Sequence, residues 1–140
     1  MLRRLSFLLL LVCAGCGEMS PHSKLDMLNT TLNAYANALR WGDFEQATKY
    51  VDPETLAKHP LSELDKERYK QVRVASYNER PYVSVGENEI QQIVEIGILN
   101  INTQTERTIV DTQLWRMEEK TKHWRLISGL PDITQHDTQH

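Results

Sequence analysis

The chain has 140 residues, and its 16 Lys and Arg against 19 Asp and Glu give a formal net charge of −3. That balance argues against a nucleic-acid partner, which needs a basic stripe, and against electrostatic attraction to anionic lipid. With 40% apolar residues and only two cysteines, the length suits a single domain held by its own core rather than by disulfides.

The first 16 residues have a separate logic. Arg3 and Arg4 precede Leu5, Ser6 and the apolar run Phe7 to Val12, after which Ala14 and Gly15 lead to Cys16. This is the charged, apolar, small-residue order of a secretory signal, and its apolar run falls short of the roughly 20 residues a membrane-spanning helix needs. The segment Val12-Cys13-Ala14-Gly15-Cys16 resembles the lipobox of bacterial lipoproteins. The resemblance implies cleavage after residue 15 and a diacylglycerol thioether on Cys16, with no other cofactor. Cys13 stands where an aliphatic residue is usual, and Val12 before it is too bulky for Cys13 to be the lipidated residue.

Residues 1–15 are thus expected to be a signal peptide and residues 16–22 a tether. The membrane is engaged through the lipid alone. Gly17, in place of Asp, points to the outer membrane of a two-membrane host, with the domain in the cell envelope facing the periplasm. Losing Cys13 and consuming Cys16 leaves no pair for a disulfide, and losing Arg3 and Arg4 leaves 14 basic against 19 acidic side chains.

Ser23 with Asp26 resembles a capping box, and Leu25, Leu28, Leu32, Tyr35, Ala36 and Leu39 recur at helical spacing, predicting a helix from about Lys24 to Trp41. Gly42 suits its C-terminal cap and Asp43 the next N-cap, opening a short helix that turns Phe44, Ala47, Tyr50 and Val51 inward. Asp52-Pro53 starts a third helix that Pro60 ends. Leu61 to Lys70 reads as a solvated surface helix.

From Val72 onward Val, Ile, Thr, Tyr and Trp dominate. Strands are expected near 71–78, 82–85, 89–102, 107–118 and 123–128, joined by turns short enough to require antiparallel neighbours. Ile90, Val94, Ile96 and Ile98 alternate with Gln91, Glu95 and Gly97, while Ile93, Leu99 and Ile101 put apolar groups on the second face. Residues 23–131 form one α+β domain, helices packed on a curved antiparallel sheet of four or five strands. Residues 132–140, polar and repeating Thr-Gln-His, are expected to be a disordered tail.

The order of a long helix, short helices, and a sheet ending in Leu114-Trp115-Arg116-Met117 and His123-Trp124-Arg125-Leu126-Ile127-Ser128 resembles the NTF2-like superfamily of cone-shaped α+β domains. That superfamily includes isomerases, cyclases, dehydratases, transport adaptors and non-catalytic domains, so the resemblance implies a fold and not an activity. Its catalytic members place a carboxylate base, often with a tyrosine donor, inside the mouth of the cone.

Here Asp111 lies in phase with Ile109, Trp115 and Met117, and Tyr35 lies on the apolar stripe of the first helix. Carboxylates on strands are mostly solvated, so Asp111 is expected on the outer face beside Gln113, with Tyr35 as ordinary core. Glu95 is weighed in the same way. Trp115 and Trp124, paired across the last hairpin on the outer face, would form a patch for a homodimer or an envelope partner, as superfamily members often dimerise there.

His123 reads as a turn residue, and His22 and His59 as isolated loop residues. His136 and His140 lack the further ligands a metal needs, so no metal is expected. There is no phosphate-cradling glycine loop, no G-x-S-x-G elbow and no free cysteine nucleophile. The expectation is a non-catalytic lipoprotein whose domain binds a protein, a second copy or a small apolar ligand. Its alternatives are an isomerase or cyclase using Asp111 or Glu95 with Tyr35, or an accessory subunit of an envelope machine.

Overall fold

A computed structural model of the protein describes Gly17 and residues 20–135. Ser20 caps the first helix, α1 (Pro21–Arg40): its Oγ accepts the Ser23 N–H, and Pro21 sits at the first helical position. The helix therefore begins earlier than the Ser23–Asp26 pattern suggests, because a serine directly ahead of a proline is the stronger start. Gly42, at φ 72°, turns the chain out of α1, and Asp43 Oδ1 accepts the Gln46 N–H at 2.8 Å to open α2 (Phe44–Thr48). Asp52 Oδ2 accepts the Thr55 N–H at 3.1 Å at the start of α3 (Pro53–Lys58). A Ser62–Asp65 capping box opens α4 (Glu63–Lys70).

Five strands follow: β1 (Val72–Glu79), β2 (Val83–Gly86), β3 (Glu89–Asn100), β4 (Glu106–Met117) and β5 (Trp124–Leu126). They form one antiparallel sheet in the order β1-β3-β4-β5, with β2 also paired to β3. β1 pairs with β3 at Val94–Asn100 and β2 with β3 at Glu89–Gln91, so the two act as one strand bent at Arg80-Pro81-Tyr82. Register shifts between Val74 and Ser76, and between Ser84 and Gly86, add further bends, since a bulge curves the strand that carries it. The fold is α+β, with N-terminal helices on a curved antiparallel sheet.

α1 buries Leu28, Leu32, Tyr35, Ala36 and Leu39 against the inward side chains of the sheet. Those are Val74 and Tyr77 of β1, Ile90, Val94, Ile96 and Ile98 of β3, Ile109, Trp115 and Met117 of β4, and Trp124 and Leu126 of β5. The Asp52 N–H donates to Leu126 O and the Leu126 N–H to Tyr50 O, tying the α2–α3 junction to β5. No helix among the described residues is long and apolar enough to cross a membrane.

Two expectations about the periphery change. α4 has a wet charged face, but its Tyr69 stacks on Phe44 with ring centroids 4.4 Å apart. Residues 132–135, expected to belong to a disordered tail, are instead seated on the domain, where Ile133 is buried, and residues 136–140 lie outside the described residues.

Candidate functional site

Successive residues of a strand face opposite sides, so Ile109 fixes which of its neighbours point at α1. Asp111, Gln113, Trp115 and Met117 follow it inward, and each is buried, Asp111 to 8% exposure and Gln113 to 0%. The outer-face expectation for Asp111 is therefore overturned. Burying a carboxylate is costly unless it finds a partner, and here the partner is Gln113 on the same strand.

Gln113 is the hub of the cluster. Its Nε2 donates to Asp111 Oδ2 and to the Tyr77 hydroxyl, both at 2.9 Å, and its Oε1 accepts from Trp115 Nε1 at 3.1 Å. Both amide protons and the carbonyl are thus used, which fixes the orientation of the side chain. Tyr77 comes from β1, and the Arg40 guanidinium lies 5.3 Å from its ring centroid. Tyr35 is fully buried, its ring edge-on to Trp115 at 5.2 Å and to Tyr50 at 6.0 Å. Its hydroxyl has no hydrogen-bond partner among the described residues.

Burial dominates the electrostatics. It raises the Asp111 carboxyl to about 6, against the opposing pull of the Gln113 amide. Burial likewise holds the Tyr35 phenol well above its ordinary range, with Asp111, Tyr77 and Tyr69 adding to the effect. The Tyr77 phenol is also raised by burial, against the Gln113 hydrogen bond. The cluster thus joins a carboxyl that exchanges its proton near neutrality to two phenols that stay protonated.

The other candidates separate from this cluster. Glu95 lies on the opposite face of β3 and pairs with Arg80, so it has no route to Tyr35. Trp115 and Trp124 are 0% and 6% exposed and face α1, which removes the expected outer patch. They are also not opposite one another, since Trp115 pairs with Leu126 and Trp124 with Met117. Trp41, just after α1, is instead the exposed tryptophan at 86%, and Val83, Val85 and Val110 are exposed on the sheet.

His123 is exposed ahead of β5, His22 lies in α1 beside Asp26, and His59 caps α3. No group of three or more His, Cys, Asp or Glu among the described residues is placed to hold a metal. Cys16, His136 and His140 lie outside the described residues. Gln113 and Tyr77, the partners that organise Asp111, were not anticipated. The period-2 phase that aligned Asp111 with Trp115 applied equally to Gln113.

Two surface depressions are pronounced. One, of about 510 Å³, lies between the α1–α2 junction and α4, with Phe44, Leu61 and Tyr69 in its lining, and the other adjoins the Gly86–Glu89 turn. Neither is lined by Asp111, Gln113, Tyr35 or Tyr77.

No family model matches the sequence, and no curated protein matches it. Among solved structures, the chain is similar to an NTF2-like family member from Streptomyces avermitilis described as a candidate dehydratase, at 14% identity and a TM-score of 0.47, over 76% of this chain and 93% of that one. It is similar also to an NTF2-like protein of unknown function from Shewanella oneidensis, at 14% identity and a TM-score of 0.49, over 73% and 93%.

Proposed function

We propose that this is a lipid-anchored protein of the cell envelope whose α+β domain, an NTF2-like cone, serves as a binding module. The lipobox ending at Cys16 supports the anchor and the address. The observation that supports the module is the filled concave side: Tyr35, Leu28, Leu39 and Trp115 are buried together between α1 and the sheet, and neither pronounced depression opens onto them. A protein partner, a second copy or a small apolar ligand is the class of thing bound, and the acidic balance argues against nucleic acid.

One observation favours a second reading, a proton-transfer enzyme of the isomerase or cyclase type. Asp111 faces inward with a carboxyl raised to about 6 and a buried tyrosine hydroxyl close enough to sense its charge. Complementation of a deletion strain separates the two. A binding module tolerates Asp111→Asn and restores the wild-type phenotype, whereas a general base does not survive that substitution. Failure of Asp111→Asn to complement, with the protein folded and at normal abundance, overturns the first reading.

A further inference from the structure

The larger depression, of about 510 Å³, is built only from the helical half of the chain. Its walls come from the α1–α2 junction and α2 on one side and from Leu61 and α4 on the other, and no residue of the sheet lines it. Its volume lies within the roughly 300–1,000 Å³ of pockets that hold small molecules, with room for about two or three amino-acid residues.

The floor of this cleft is apolar. The Tyr69 hydroxyl donates to Pro131 O at 3.1 Å, and the Tyr69 ring stacks on Phe44 with centroids 4.4 Å apart and planes 21° from parallel. The polar end of Tyr69 is thus already engaged, and beside Phe44 and Leu61 it contributes ring surface to the lining.

The two rims carry opposite charge. Lys66 and Lys70, four residues apart on one face of α4, line one side, whereas Asp43 and Glu45 line the other. Each lysine is paired within its own helix, Lys66 with Glu63 at 2.8 Å and Lys70 with Glu67 at 2.7 Å, yet the two lysine side chains remain 50% and 70% exposed. Exposed pairs of this kind contribute little, so either lysine can turn to an anion in the cleft. On the other rim, Asp43 gives Oδ1 to the Gln46 N–H, which leaves Oδ2 for a second donor. An aromatic floor between a cationic and an acidic rim complements a molecule with an apolar body, a carboxylate at one end and an ammonium at the other. An anion or a cation of the same size would meet one rim of its own sign.

We infer that the cleft between the α1–α2 junction and α4 binds a small zwitterion with an apolar body, the chemistry of a short free peptide. Its carboxylate sits on Lys66 and Lys70 and its amine on Glu45 and Asp43. The inference rests on the binding-module reading and supplies the ligand that reading leaves open. The 20 residues of α1 span about 30 Å, so the cleft lies about that far from the point where the chain enters the domain, clear of an anchor at Cys16.

The test is an NMR titration of the ¹⁵N-labelled full mature chain with phenylalanyl-leucine, read from the amides of Gly42, Phe44 and Tyr69. The same dipeptide, acetylated at its amine or amidated at its carboxylate, is titrated beside it. Each blocked form should bind about fivefold more weakly than the free one. Glu45→Gln should narrow the gap between free and acetylated peptide, and Lys66→Gln with Lys70→Gln the gap between free and amidated peptide. All three positions are exposed, so the fold survives these changes. Saturable shifts at the cleft with that pattern support the assignment. No shift at millimolar peptide, equal binding of the three forms, or gaps that neither variant narrows overturns it. Loss of the cleft leaves the binding-module reading standing, because complementation by Asp111→Asn decides that reading separately.

Discussion

Replacing Asp111 with Asn should stabilise the protein at neutral pH, contrary to the usual effect of a substitution in a buried network. The carboxyl moves from an ordinary 3.8 to about 6 on folding, so the native state holds its proton more tightly than the unfolded chain. Between those values the native state binds more protons, and stability falls as pH rises through about 6. The gap corresponds to roughly 3 kcal/mol, fully lost above the folded midpoint and restored below about pH 4. Asn keeps an oxygen for the Gln113 Nε2 donor at 2.9 Å and never ionises. For a domain of this size about 4 °C of Tm accompanies each kcal/mol, so Asp111→Asn should raise Tm by roughly 10 °C at pH 7.5 and leave it nearly unchanged at pH 4. Thermal melts followed by circular dichroism at the two pH values measure this directly. An equal shift at both, or a loss of stability at pH 7.5, would refute the assignment of a desolvated carboxyl to this position.

Other substitutions test other parts of the core. Trp115→Ala should cost about 4 kcal/mol or more in urea unfolding, because it empties a fully buried site and leaves Gln113 Oε1 without its donor. A cost below about 1 kcal/mol would instead fit an exposed tryptophan, as on a binding patch. Gly97→Ala should cost about 1–3 kcal/mol by overpacking, since a Cβ there would lie 2.4 Å from Ser76 Oγ at the β1 bulge. Adding Ser76→Ala to that variant should recover part of the loss in the same assay.

The helices and strands were legible because their signals are local. Asp52-Pro53, Gly42-Asp43 and the alternation of β3 and β4 fix caps and faces within a few residues, and the structure follows them closely. The one helix start read late, at Ser23 instead of Ser20, had two serines competing and was decided by Pro21.

The site was harder to read, for a physical reason. Asp111 and Gln113, two residues apart on one strand, look like a wet face until Tyr77 supplies a buried partner from 36 residues away. The side a polar pair faces then depends on contacts that no window of sequence contains. The same holds for Trp115 and Trp124, whose hairpin was visible but whose register and inward face were set by packing against α1. Tyr69 and Ile133 stood alone in charged or polar stretches, and only their distant partners, Phe44 and Arg107, gave them a role.

The central claim, a domain hung from a lipid at Cys16, is tested most directly by growth of the host with labelled palmitate. Wild-type protein should carry the label, and Cys16→Ser should carry none. Label retained by Cys16→Ser would contradict the account.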